Sequence, residues 1–253
     1  MNKIKQLIQD ADGIIILTGA GMGVDAGIPD FRGSSGLWSA EKDNFIKFAS
    51  GPAWQERPLE AWNFYINRLI KYSQVPPHRG YFDLKNLNKD IFVVTSNVDG
   101  HFKASGYPTD KIYEIHGNLE YIQCSRHCTD DIQPMPTFTG ELGSLKEAPH
   151  CPHCGSVMRP VVMMFNDYAF DDQIVRKQSD KFWAWATTKK NIVGIEIGAG
   201  TYVASIRSMS RNYTKATIRI NPHDFQVNRP EDISIEATAI DGIDTIFKIL
   251  NEK

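Results

Sequence analysis

Net charge is almost absent from this chain: 28 Lys and Arg stand against 30 Asp and Glu, leaving −2 at pH 7. A surface so near neutrality has no bulk attraction for a polyanion, so nucleic acid is not an obligate partner. Long apolar runs are lacking too. None approaches the roughly 20 residues that a bilayer span needs, and the opening MNKIKQLIQDADG is charged too early for a secretion signal. The expectation is a cytoplasmic, reducing setting with no membrane partner. No internal repeat or low-complexity tract is present. Cysteine is sparse, but all four lie within the 31 residues from Cys124 to Cys154. In a reducing compartment such clustering points to metal more than to disulfide.

What is present suits a sizeable core: 253 residues, 42% hydrophobic, enough for one large α/β domain with insertions or two domains sharing a cleft. Ile4, Leu7, Ile8 and Ala11 repeat at helical spacing, and the apolar Ile14 to Leu17 follows as a buried strand. Gly19, Gly21 and Gly23 come next, where a parallel strand hands over to a glycine turn beneath a pyrophosphate. The second strand of an ordinary dinucleotide unit is missing; residues 31–72 instead read as an aromatic, helical insertion, with Trp62, Tyr65, Ile66 and Leu69 on one face. Strands are expected at 91–95, 111–115, 191–197, 216–220 and 233–236, alternating with helices near 172–187, 203–212 and 240–250. That alternation is doubly wound. Pro134–Glu147 is the loosest stretch.

Cys124-Ser-Arg-His-Cys128 and Cys151-Pro-His-Cys154 form a C-x3-C and C-x2-C pair separated by 22 residues. Two such knuckles bring four thiolates to a tetrahedral, closed, structural zinc. His127 stands where strict C-x2-C spacing would put a ligand, so three cysteines with His127 is the alternative, and four unliganded thiols the plain one. Three further segments each follow a strand: Thr95-Ser96-Asn97-Val98-Asp99, Glu114-Ile115-His116-Gly117-Asn118, and Gly198-Ala199-Gly200. Ligands gather at the carboxyl ends of parallel strands. His116 sits directly at such an end, and beside a glycine-bound nucleotide it reads as a general base. His101 lies several residues past its strand. Trp183, Trp185 and the Met163-Met164 pair read as core or strand-face residues.

These residues resemble the sirtuins, NAD-dependent protein lysine deacylases, and divergent bacterial members in particular. The resemblance covers nearly the whole chain: GAG at 19–21 with GIPDFRG at 27–33, TSNVD at 95–99, EIHG at 114–117, the zinc knuckles, and RPVVMMF at 159–165. It implies a Rossmann-like doubly wound parallel sheet, spanning approximately 1–33, 75–122 and 159–253. A smaller part would consist of a helical insertion, approximately 34–74, and a zinc module, approximately 123–158. It implies NAD as co-substrate, an acyl-lysine protein or peptide as partner, and one structural zinc on Cys124, Cys128, Cys151 and Cys154. NAD would lie on Gly19, Ala20, Gly21, Asp25 and Trp38, with Asp30, Phe31 and Arg32 closing over the nicotinamide ribose. Ser96, Asn97 and Asp99 would hold nicotinamide or ribose, Gly198, Ala199 and Gly200 the phosphates, and Asn221 the adenosine ribose, with Ile243 near adenine. The acyl oxygen attacks C1′ of the ribose as nicotinamide leaves, and His116 takes a proton from the ribose hydroxyls. The products are free lysine, nicotinamide and O-acyl-ADP-ribose.

The resemblance makes Met163, Phe165 and Asn166 peptide contacts, with Asn97, Asp99 and His116 the reacting set. Ser96 replaces the family's glutamine, Gly198-Ala199-Gly200-Thr201 its G-T-S, and Asn166-Asp167 its Gly-Glu; asparagine tolerates left-handed backbone better than most residues. Tyr65 and Arg68, three apart on the inserted helix, resemble the pair that binds succinyl or malonyl carboxylates; the alternative makes Tyr65 a core residue and Arg68 a solvated edge. Rival readings are an NAD glycohydrolase or ADP-ribosyltransferase on the same fold, and a non-catalytic NAD-sensing or zinc-ribbon module. The retained PDFR, NVD and EIHG favour deacylation.

Overall fold

A central six-stranded sheet is built around a strand with no exposed position, β1 (Gly13–Thr18). Its neighbours are β2 (Ile91–Thr95) and β7 (Ile192–Ile197), with β3 (Ile112–Glu114) beyond β2, and β8 (Ala216–Ile220) and β9 (Ile233–Ile235) beyond β7. Every pairing is parallel. The computed structural model describes residues 2–30, 47–138 and 145–252. Counting only this sheet's strands in chain order, the spatial order is 3-2-1-4-5-6, that of nucleotide-binding doubly wound sheets. The order reverses between β1 and β7, so a crevice opens at their carboxyl ends.

The uninterrupted Ile14-Ile-Ile-Leu17 run follows from burial on both faces. Ile14 and Ile16 point into one core with Ile4 and Ile8 of α1 (Lys3–Asp10) and Ile243 and Ile246. Ile15 and Leu17 point into the other with Phe92, Phe182, Trp185 and Ile206. Two further helices flank the glycine turn in sequence and space: α2 (Gly21–Val24) and, later in the chain, α5 (Arg79–Asp83), whose core residue Tyr81 is fully buried.

The insertion supplies α3 (Ala53–Glu56) and α4 (Pro58–Gln74). Pro58 suits the first helical turn, where its missing N–H costs nothing. Trp54, Trp62, Tyr65 and Ile66 pack on a small antiparallel sheet of β4 (Gly117–Cys124), β5 (Gln133–Pro134) and β6 (Met158–Val162). Trp62 Nε1 donates to the Met158 carbonyl at 2.9 Å, tying insertion to sheet. The remaining helices are α6 (His101–Ala104), α7 (Gln173–Ala186), α8 (Ser205–Tyr213) and α9 (Ala239–Asn251). Trp185 is core, but Trp183 lies 41% exposed, edge-on to Tyr213, because it falls on the outer face of α7. Among the described residues no helix is long and apolar enough to cross a membrane.

The two ends of the crevice touch backbone to backbone. Gly198 has φ +62°, and a Cβ on it would stand 2.4 Å from Gly21 Cα, whereas a Cβ on Gly200 meets nothing within 4 Å. Gly198→Ala is expected to cost roughly 2–4 kcal/mol, combining a left-handed penalty with a backbone clash. Gly200→Ala should stay within about 0.5 kcal/mol of the parent. Urea unfolding of the pair checks this; equal stabilities would refute the contact.

Candidate functional site

The glycine turn is held by the neighbouring strand end. Gly19 N–H donates to Ile197 O and Gly21 N–H to Gly198 O, both at 3.1 Å. The two glycines therefore answer first to the approach of Gly198; a Cβ on Gly19 would lie 2.7 Å from Gly198 O. Ala20 sits between them as the residue before α2. Asp25 Oδ2 accepts from Ile240 N at 2.7 Å, satisfying the start of α9. Asn221 Nδ2 donates to Ala199 O at 3.1 Å while its Oδ1 accepts from His223 N and Asp224 N, so its side chain braces two loops of the crevice. Ile243 is fully buried, close against Gly80, and offers no side-chain surface to adenine; its helical position turns it into the sheet core. Asp30 is half-buried at the end of the described loop, and Phe31, Arg32 and Trp38 lie outside the described residues.

Sequence reasoning did not single out His78, which anchors this turn. Its Nδ1 accepts from Gly80 N at 3.1 Å, so Nε2 carries the proton and donates to Met22 O at 2.8 Å. Burial lowers its pKa below the ordinary 6.5. The only signal was a histidine two residues before a glycine, which is too common to read. His101 is likewise structural, 2% exposed with Nε2 against Val75 O at 2.9 Å.

Beside the glycine turn, Thr18 Oγ1 donates to Thr95 Oγ1 at 2.8 Å across β1 and β2. Ser96 follows, its N–H donating to Thr18 O at 3.0 Å and its hydroxyl reaching the same oxygen at 3.3 Å. Asn97 Nδ2 donates to Gly19 O at 3.0 Å, placing the carboxamide against the glycine turn. Asp99 Oδ1 accepts from His101 N at 2.9 Å; burial raises its carboxyl pKa, with nearby His101 opposing.

His116 occupies the tight turn between β3 and β4. Burial lowers its pKa below 6.5, and a hydrogen bond to the Ser96 backbone partly restores it. Gly117 behind it has φ +75° and would put a Cβ 2.1 Å from Val161 O, so only glycine lets β6 approach the histidine turn. Two residues before the histidine, Glu114 is 2% exposed and bound by Lys103 Nζ at 2.9 Å, Asn118 Nδ2 at 2.8 Å and Gln178 Nε2 at 3.1 Å. Lys103 and Gln178 were not legible beforehand, since they come from α6 and α7.

The segment after β6 splits the methionine pair. Met163 is 47% exposed with its N–H on His116 O at 2.9 Å, while Met164 is buried and its Sδ accepts from Trp54 Nε1. Phe165 has its own strand partner, donating to Ala49 O and accepting from Gly51 N, both at 2.9 Å. Asn166 is left-handed at φ +51°, and Asp167 turns inward to a two-pronged pair with Arg159 at 2.7 and 2.5 Å. Tyr65 is 4% exposed between Trp54 and Phe64, and burial pushes its phenol up to about 12, with the charges of Arg68 and Arg159 opposing. Arg68 is half-buried, its guanidinium 5.0 Å from the Phe64 ring centre.

The four cysteine sulfurs lie within 4.8 Å of one another, with Cys124–Cys154 and Cys128–Cys151 at 3.6 Å. Sulfurs about 2.3 Å from a tetrahedral zinc stand about 3.8 Å apart, so the four are positioned for a structural zinc. Ser156 assists, its hydroxyl and N–H bonding Cys154 and bringing that thiol down to about 6. His127 is not among the four; its ring faces Asp130 and Asp171 instead. The mixed three-cysteine reading is thereby set aside. The eight residues of β4 separate Cys124 from the His116 turn by roughly 26 Å at extended rise, too far for the metal to act on substrate.

Comparison with known proteins gives a consistent result. The sequence profile of the Sir2 family matches residues 19–201. An NAD-dependent protein deacylase of Aquifex aeolicus (strain VF5) is 26% identical over 95% of this chain and 96% of its own length. An NAD-dependent protein deacetylase of Clostridium perfringens (strain 13 / Type A) is 30% identical over 71% of this chain and 72% of its own. Among solved structures, a Sir2 homologue mutant in complex with ADP-ribose superposes with TM-score 0.76 at 23% identity, over 100% of this chain and 99% of that one. A Sir2 homolog–NAD complex gives 0.72 at 22%, over 98% and 94%. At these identities the superpositions speak for the fold.

Because structural zinc binding is itself folding free energy, Cys151→Ala and Cys154→Ala are each expected to lose the metal of the knuckles and to melt earlier than the parent. Metal analysis beside thermal unfolding checks this, and a variant that keeps both metal and melting temperature would refute it.

Proposed function

This chain belongs to the Sir2 family, and from that premise we propose that it is an NAD-dependent protein lysine deacylase, with an acyl-lysine in a protein or peptide as its second substrate. The observation that carries the reading is Ser96. Its N–H bonds Thr18 O at 3.0 Å at the end of the glycine strand, and the preceding Thr95 O accepts from Ile115 N at 2.9 Å, so the turn of the candidate base and the glycine turn are anchored on one strand end.

NAD, when bound, supplies the glycosidic bond broken as nicotinamide leaves and the ribose that receives the acyl group. The crevice between Gly19–Gly21 and Gly198–Gly200 would hold its phosphates, and the Asn97 and Asp99 side chains would hold the nicotinamide end. Neutral His116 carries one ring N–H and keeps a lone pair on the other nitrogen, free to take a hydroxyl proton. Its lowered pKa keeps that lone pair available below the usual histidine range. Glu114, fixed by Lys103, Asn118 and Gln178, holds the turn in place without touching substrate.

For acyl choice, we propose a preference for carboxylated groups such as succinyl. Support comes from Arg68 standing beside a phenol that burial keeps protonated, on a helix whose apolar cluster includes Val98 of the Asn97–Asp99 loop.

Product analysis with NAD and acetyl-, succinyl- and longer acyl-lysine peptides tests the function; nicotinamide release from NAD alone, unchanged by peptide, would indicate a glycohydrolase instead. His116→Ala should still bind NAD while deacylation falls by roughly 10²–10⁴. In the parent enzyme the acid limb of kcat/KM should have its midpoint below 6.5, since a depressed pKa keeps the base neutral to lower pH. A limb at or above that value would count against His116. Arg68→Met should reduce desuccinylation about 10- to 150-fold more than deacetylation, the worth of charge-assisted hydrogen bonds. Equal losses on both substrates would return Arg68 to a solvated helix edge.

A further inference from the structure

The first cysteine knuckle is one residue wider than the second, and its additional residue makes a contact the zinc does not need. His127 takes φ +49°, its N–H closing on Cys124 O at 3.0 Å, and its ring faces away from the four sulfurs. Nε2 lies 3.3 Å from Asp130 Oδ1 and 3.3 Å from Asp171 Oδ2. Asp171 opens the approach to α7: its N–H donates to Gln123 Oε1 and its Oδ1 accepts from Gln173 N, each at 2.9 Å. Its Oδ2 is buried and receives no hydrogen bond, in a side chain only 6% exposed. The nearby cation, Arg176, is committed to Asp172 at 2.5 Å. A buried carboxylate oxygen thus faces an imidazole nitrogen at 3.3 Å in an orientation that does not make a hydrogen bond.

A buried anion of this kind calls for a cation. We propose that His127, Asp130 and Asp171 form a second metal site, distinct from the four cysteines, for a divalent first-row transition ion such as zinc. Ligand atoms about 2.1 Å from one ion and 90–110° apart stand about 3.0–3.4 Å from each other, and both 3.3 Å contacts fall in that interval. The three ligand atoms lie within 4.8 Å of one another. One imidazole with two carboxylates suits zinc or manganese and lacks the sulfur that distinguishes the cysteine site. Asp130 is exposed, so water completes the coordination. The ion would join the zinc module, through His127 and Asp130, to the start of α7 on the large sheet, through Asp171.

The test uses the full chain carrying one zinc in its cysteines, titrated with cobalt(II) in chelator-free buffer. The expected result is one further ion per chain, with weak d–d absorption and no thiolate-to-cobalt charge transfer. Asp130→Asn, at an exposed position that does not endanger folding, and Asp171→Asn, which keeps an Oδ1 acceptor for Gln173, should each weaken that ion at least about 10-fold. His127→Ala should lose it while retaining the cysteine-bound zinc. No second ion in the parent, undiminished binding in both Asn variants, or loss of the cysteine zinc from His127→Ala would each overturn the assignment.

Discussion

The contact on which the chemistry depends is that of two backbones, the turn after β1 and the turn after β7. Gly19, Gly21 and Gly198 leave no room for a Cβ, and their amides and carbonyls bond across the gap. This contact exists because the sheet reverses its order between those strands, which leaves their carboxyl ends without a crossover above them. A phosphate-bearing ligand can therefore lie directly on main chain. The surrounding side chains serve that geometry: His78 clamps the far side of the glycine turn, Asp25 joins it to α9, and Asn221 with Arg207 secures Ala199 from the opposite side.

The candidate base is held by a second device, a short antiparallel ribbon running from His116 to the cysteine knuckles. The tight turn at Gly117 lets β6 lie against β4, and Met163 N–H then closes on the His116 carbonyl. Beneath the turn, the buried Glu114 carboxylate is satisfied by three donors from three different elements, so the histidine stands on a rigid base. The zinc module lies at the other end of the ribbon. Its effect on chemistry is mechanical: it fixes the fold of the strands that carry the site.

Several departures from the family pattern acquire physical reasons. Asn166 is left-handed, the conformation for which glycine or asparagine is suited, and Asp167 is drawn inward by Arg159, which shapes the loop after β6 from within. Ser96 is too short to reach far into the crevice, but its N–H and hydroxyl both bond Thr18 O and so fix the end of β2. The widened first knuckle places His127 outside the thiolate cluster. These substitutions alter how the site is supported more than which reacting groups it contains.

Periodicity and punctuation in the sequence determined the strands of the large sheet, the helical insertion and the knuckles, because alternation, helical spacing and glycine turns are local properties of the chain. The candidates Asn97, Asp99 and His116 drew notice because their segments follow strand ends, and the roles proposed for them came from the resemblance of those segments to sirtuin motifs. Tertiary structure alone decided what those residues touch. That Gly21 answers to Gly198, that Glu114 needs Lys103 and Gln178, that Ile243 faces the core and that His127 turns to Asp171 all depend on segments tens to nearly two hundred residues apart. No local pattern encodes such pairings, since they arise only when the sheet order brings distant strand ends to one edge and burial obliges every polar group there to find a partner.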